Sequence, residues 1–207
     1  MKQRTVQTLY AYWNELRAGR VAPTRLEIEP SRIGAILSET FMLERTDQAT
    51  YRYRLAGTRL CEIFGSELRG SNMLDGWNEA DRRALAHQLA STCEKGAVSL
   101  LTVEAGADHV HRVQLEVILL PLMHTDNTMG RVIGAMSPTA TPHWLGHEHL
   151  RDKRLLRNEL IWPDGRPHAV IERMGVPAAF QPAAPPARTV KDERRNFRVV
   201  DGGRKGD

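Results

Sequence analysis

Tyr51, Tyr53 and Leu55 alternate with Arg52, Arg54 and Ala56, the period of two that gives a strand one apolar and one wet face. Gly57 breaks that strand. Thr58 is a suitable N-cap for a helix carrying Leu60, Cys61 and Phe64, and Gly65 supplies the residue best able to take the left-handed conformation that ends a helix. A second short turn closes at Gly70. Upstream, Val6, Leu9, Tyr10, Trp13 and Leu16 recur at spacings of three and four, which predicts an amphipathic helix ended by Gly19. A lone helix cannot bury such a stripe, so it packs on its own domain, on a sheet, or on its twin in a dimer. Pro23 and Pro30 frame a linker, and Ser31 can cap a short helix with Ile33, Ile36 and Leu37.

Phe41, Met42 and Leu43 predict a short first strand, and the turn over residues 45–49, with Asp47 in it, hands over to the Tyr51 strand as a hairpin. The chain is irregular after Gly70 until Asn78, which caps a longer helix with Ala84, Leu85, Leu89 and Cys93 on one face and Gly96 at its end. Val98, Leu100, Leu101 and Val103 predict a third strand, followed by a polar tip at residues 106–108. Val113, Leu115, Val117 and Leu119 alternate as a fourth strand, Asp126 and Asn127 turn the chain, and Val132, Ile133, Ala135 and Met136 form a fifth. Gly134 within that strand marks a close backbone approach. From Pro138 the chain leaves the sheet, and residues 143–161 read as a basic helix in which Leu150, Leu155, Leu156 and Leu160 are interleaved with Arg151, Lys153, Arg154 and Arg157. Residues 162–165 form a turn. The Ala- and Pro-rich run after Val176 and the charged residues beyond it are expected to be disordered.

The strand of Tyr51 to Tyr53, the turn RLAGTRL and the FGSELRG after it resemble the small bacterial PAS proteins, in which this passage is the second strand and the first connecting helices. The upstream YWNELRAGRVAPTRLEIEP, with Pro30, Ile33 and Leu37 after it, resembles the entrance of the same family, and the similarity runs from about Val6 to about Val170. The resemblance implies an α+β PAS fold: a five-stranded antiparallel sheet with helices inserted between strands 2 and 3, an N-terminal amphipathic helix and a C-terminal extension. The expected organisation is an N-terminal helix and linker over residues 1–30, a PAS core over 31–137, a basic helical extension over 138–175 and a tail over 176–207. In such a cupped fold a ligand lies among inward residues of sheet and helices, here Tyr53, Leu55, Leu60, Phe64, Trp77, Leu89, Leu101, Leu115, Val117 and Met136; the alternative is that they fill the core. Val6, Leu9, Tyr10, Trp13 and Leu16 are the expected interaction or dimer helix.

Composition narrows the picture. With 207 residues and a formal charge of +4, one well-buried core plus an extension is the expectation. No apolar leader precedes the first helix and no run is long enough to span a bilayer, so no membrane is implied and a cytoplasmic protein is expected. Cys61 and Cys93 both lie in helical patterns, which argues for core thiols and against disulfides or a cysteine zinc site.

Candidate chemistry is sparse. The chain has no Gly-rich phosphate loop, serine elbow or HExxH, and the expectation is a protein that is not an enzyme. Asp75, Glu79 and Asp81, around the start of the helix that Asn78 caps, are explained by its positive end. His109 and His111 share a face if their segment is extended, and His143, His147 and His149 crowd another short stretch; imidazoles so grouped can bind zinc, yet with no cysteine or further partner identifiable, no metal site is assigned. His87 occupies the region where some haem-binding PAS domains keep an iron ligand, without a supporting motif. The cysteine string of flavin-binding relatives is absent, so no cofactor is required by the sequence.

The basic residues 151–157 raise nucleic acid as a partner, but Asp152 and Glu159 break the positive field and no DNA-reading motif appears. The reading preferred is a regulatory PAS protein of bacterial signal transduction, a homodimer that acts by contact with a separate protein such as a histidine kinase or cyclic-dinucleotide enzyme, with or without a small-molecule ligand. A nucleic-acid-binding regulator and a haem or metal sensor are the alternatives.

Overall fold

A computed structural model describes residues 1–124 and 128–165 of the chain. The turn expected at Asp126 and Asn127 and the Ala/Pro-rich and charged tail lie outside the described residues.

The elements run α1 (Arg4–Arg17), a 3-10 segment (Pro30–Glu39), β1 (Thr40–Asp47), β2 (Thr50–Ala56), α2 (Thr58–Phe64), α3 (Glu79–Lys95), β3 (Val98–Gly106), β4 (Arg112–Leu122), β5 (Arg131–Pro138) and β6 (Asp152–Ile161). The strands form one antiparallel sheet in the order β2-β1-β5-β4-β3-β6. The α+β fold expected from the sequence is therefore present, with a sixth strand added beside β3.

Caps fix the helix ends. Asn78 accepts the backbone N–H of Asp81 at 3.0 Å and starts α3; Gly65 and Gly96 take left-handed conformations and end α2 and α3. Gly57, not Thr58, is the N-cap of α2, and Ala18, one residue before Gly19, is the left-handed C-cap of α1.

The sheet has a core on each face. On one face α2 and α3 cover Phe41, Leu43, Tyr51, Tyr53, Leu115, Val117 and Leu119 with Leu60, Ile63, Leu85, Leu89 and Cys93. On the other, α1 covers Met42, Ile118, Leu120, Ile133 and Ala135 with Val6, Leu9 and Trp13. This is why β4 is buried continuously from Leu115 onward and does not simply alternate. The α1 stripe thus packs on the chain's own sheet: Val6, Leu9 and Trp13 are fully buried, the Trp13 indole N–H donates to the Pro121 carbonyl at 2.8 Å, and Tyr10 and Leu16 remain half-buried at the rim.

The basic helix expected over residues 143–161 is not formed. Residues 141–150 are turns, and residues 152–161 are β6, paired with β3 along its whole length. The register slips between Thr102, which faces Arg157, and Val103, which faces Leu155, so Leu156 is the extra residue of a β-bulge and points to solvent. The bulge places two leucines in succession, with Leu160 four residues on. That spacing mimics a helical period in what is a strand.

Candidate functional site

A second bulge decides which face of β2 enters the cup. Leu43 pairs with Tyr53 but Met42 pairs with Leu55, so Arg54 is the extra residue and the strand changes phase there. Tyr51 and Tyr53 point into the cup, whereas Leu55 lies with Met42 on the opposite side and is 54% exposed. Leu55 must therefore be removed from the set of expected pocket residues.

Between β2, the 64–77 segment, β5 and β6 lies an open cavity of about 280 Å³. Four residues expected at a pocket line it: Tyr53, Phe64, Trp77 and Met136. Leu60, Leu89, Leu101, Leu115 and Val117 are fully buried or nearly so, and pack in the core that supports it. The 64–77 segment is held against the edge of β2 by backbone hydrogen bonds, Tyr53 N–H to Ser71 O at 3.0 Å, Gly70 N–H to Tyr53 O at 2.8 Å and Met73 N–H to Tyr51 O at 2.9 Å. Trp77 is fixed by its indole N–H donating to the Met73 carbonyl at 2.9 Å.

The wall also contains a residue that the helical reading of this region hid. Lys153 of β6 donates from Nζ to the Asp75 carbonyl at 2.7 Å and lies 5.1 Å from the centroid of the Trp77 ring. Burial in this apolar surround lowers its pKa below the ordinary lysine value, opposed by the nearby Asp75 charge. Arg151, Glu67 and Asp75 are the other charged residues of the lining, beside Ser66, Ser71 and Asn72. The Glu67 carboxylate accepts the Arg69 backbone N–H at 2.9 Å, and the Cys61 thiol approaches it at 3.7 Å. Tyr53, buried in the cavity wall, has its phenol pKa pushed up by desolvation and stays neutral.

A family model for a PAS domain matches residues 1–137. The chain belongs to the PAS domain family. No curated protein matches it. In this PAS domain the matched region ends with β5, so Lys153 and the rest of β6 come from beyond it.

His87 is exposed on α3 and does not line the cavity, which removes the position argument for a haem ligand in this PAS domain. Cys93 is buried, its thiol pushed up to about 12 by desolvation; Cys61 is only half-buried. Asp81 is engaged in structural bonds: one of its oxygens accepts the Leu155 backbone N–H at 3.0 Å and Asn78 Nδ2 at 2.7 Å, tying the start of α3 to β6. Arg151, Arg154 and Arg157 are exposed at an edge strand and its entry, not on a helix able to enter a groove of DNA; charges on an edge strand also discourage pairing with another chain. Among the described residues no helix is long and apolar enough to cross a membrane.

Proposed function

We propose that this PAS domain is a non-catalytic sensor whose cup takes a small molecule bearing an acidic group, and that the bound state is read by a separate signalling protein. The observation that carries this reading is Lys153: a half-buried ammonium in the wall of the cavity, against an aromatic face, with a backbone carbonyl as its hydrogen-bond partner and no carboxylate in ion-pair contact among the described residues. A buried charge is costly unless it is paired, and an incoming carboxylate would supply the missing partner while its apolar body lies on Phe64, Trp77 and Met136. PAS domains commonly serve histidine kinases and cyclic-dinucleotide enzymes, and a partner of that kind, with a homodimeric protein, fits this reading.

The test is native mass spectrometry of protein purified from its own host, followed by methyl NMR of Met73 and Met136 during titration with a panel of small aromatic and aliphatic acids and their amides. The expected result is an acid that is retained or that shifts both methyl signals, a much weaker effect from its amide, and loss of that preference in Lys153→Met. Binding should fall as pH rises through the Lys153 pKa, hence at a lower pH than for an ordinary lysine. An empty cup together with no response to any acid would overturn the ligand reading and leave protein contact as the sole input.

A further inference from the structure

The histidines grouped by sequence lie in two loops that the sheet brings together. His109 and His111 belong to the β3–β4 tip, which is closed by the Ala107 N–H donating to the His111 carbonyl at 3.0 Å. His143, His147 and His149 belong to the loop before β6, whose end is held beside that tip by the Arg151 N–H donating to the Gly106 carbonyl at 2.8 Å.

At the meeting point, His111 Nδ1 stands 3.1 Å from Asp108 Oδ2 and 3.0 Å from Glu148 Oε2. The three ligand atoms lie within 4.8 Å of one another. We infer that Asp108, His111 and Glu148 form a binding site for a divalent first-row transition ion such as Zn²⁺ or Ni²⁺.

Two carboxylates from separate segments converge on one imidazole nitrogen, which can carry at most one proton. A positive charge between them relieves their mutual repulsion, and a divalent ion neutralises both where an imidazolium neutralises one. Distance agrees, because tetrahedral donors bonded at about 2.1 Å sit about 3.4 Å apart, a few tenths of an ångström beyond the 3.0 and 3.1 Å that separate the imidazole nitrogen from the two carboxylates. Donor chemistry agrees as well: one imidazole nitrogen and two carboxylate oxygens suit borderline ions of the zinc and nickel type more than soft ones.

The donors are held in place before any ion arrives. Asp108 Oδ1 accepts the backbone N–H groups of Val110 and His111, both at 2.7 Å, which leaves Oδ2 facing the site. The His111 ring rests on the buried Trp144 ring, with centroids 5.2 Å apart. Glu148 donates its backbone N–H to Trp144 O at 2.9 Å, and Leu150 anchors the loop by donating to Ile63 O at 2.8 Å. Such outer contacts orient ligands and raise affinity. The exposed side leaves positions for water, and His109, His147 and His149 are exposed in the same two loops.

Trp144 gives a built-in reporter, since Ni²⁺ bound at His111 would quench the indole packed against it. The experiment is calorimetric titration of metal-stripped full-length chain with ZnCl₂, in parallel with NiCl₂ titration followed by tryptophan fluorescence in the wild type and in Trp144→Phe. The expected result is one ion per chain, reversed by EDTA, with quenching that disappears in Trp144→Phe. Binding should be abolished in His111→Ala and weakened at least about tenfold in Glu148→Gln. Glu148 lies on an exposed loop, so this second variant keeps the test decisive if His111→Ala fails to fold. Absence of saturable binding, or wild-type affinity in both variants, overturns the site; the latter would assign any binding to the remaining histidines.

Discussion

Glu116 shows how a single side chain can matter without a sequence signature. It lies in the middle of β4 on the α1 face, almost fully buried, and its carboxylate accepts the backbone N–H groups of Lys2 at 2.8 Å and Gln3 at 2.6 Å. It therefore serves donors at the entry of α1 that the helix cannot itself satisfy, and its charge faces the positive end of the helix dipole. Glu116→Ala should destabilise the fold by about 1–3 kcal/mol, read as a lower midpoint in urea unfolding with unchanged slope. Gly134 is the opposite case, because its meaning is legible in sequence as a glycine inside a strand. A Cβ there would run into the Phe41 ring and the Ile118 carbonyl oxygen, so Gly134→Ala should lower stability by about 1–3 kcal/mol through overpacking, checked by the same unfolding curve. The difference is one of range. The lack of a side chain is a property of the residue itself, whereas the role of Glu116 depends on a partner more than a hundred positions away.

At the scale of elements, helices with caps and strands with clean alternation could be read from the chain, as with α3 between Asn78 and Gly96. The misread elements are those with bulges. Arg54 inverts the phase of β2 and sends Leu55 out of the cup, and Leu156 disguises β6 as a helix. A bulge is set by the partner strand, so its effect on which face a residue takes is invisible before pairing is known. This is also why the sequence pattern marks Tyr53, Phe64, Trp77 and Met136 as pocket residues but not Lys153. The tether from Asp81 to the Leu155 N–H is the contact that seats β6 against α3, beside the Gln88–Asn158 side-chain bond at 2.9 Å. Asp81→Ala should therefore speed amide exchange at Leu155 and its neighbours in β6 while β4 and β5 keep wild-type protection, measured by exchange mass spectrometry or NMR. Uniformly faster exchange would mean that the substitution had weakened the whole fold and not one edge.

For the whole molecule, β6 matters because it carries contacts to both layers of the sheet. Near its start Lys153 lines the cup; at its end Ile161 packs into the α1 core, and Asp164, just beyond, is gripped by both guanidinium nitrogens of Arg17 at 2.9 and 3.0 Å. Arg17 is itself buried and lies over the Trp13 ring, 5.6 Å from its centroid, so this fork ties the strand to the most deeply packed part of α1. An acid that pairs with Lys153 would then stabilise β6 where it enters the sheet, and α1 would feel that through the same strand. By linkage the effect runs both ways: loosening the far end must weaken the ligand by the factor with which the ligand tightens that end. Arg17→Met keeps the apolar stem and removes the fork. It should raise amide exchange at residues 160–161 and lower the affinity of an acid bound at Lys153 by about fivefold, the low end of ordinary coupling. If exchange rises and the affinity holds, β6 is a passive edge and the cup reports to its partner through another surface. If both change together, the strand beyond the matched PAS region is the element through which occupancy of the cup reaches α1.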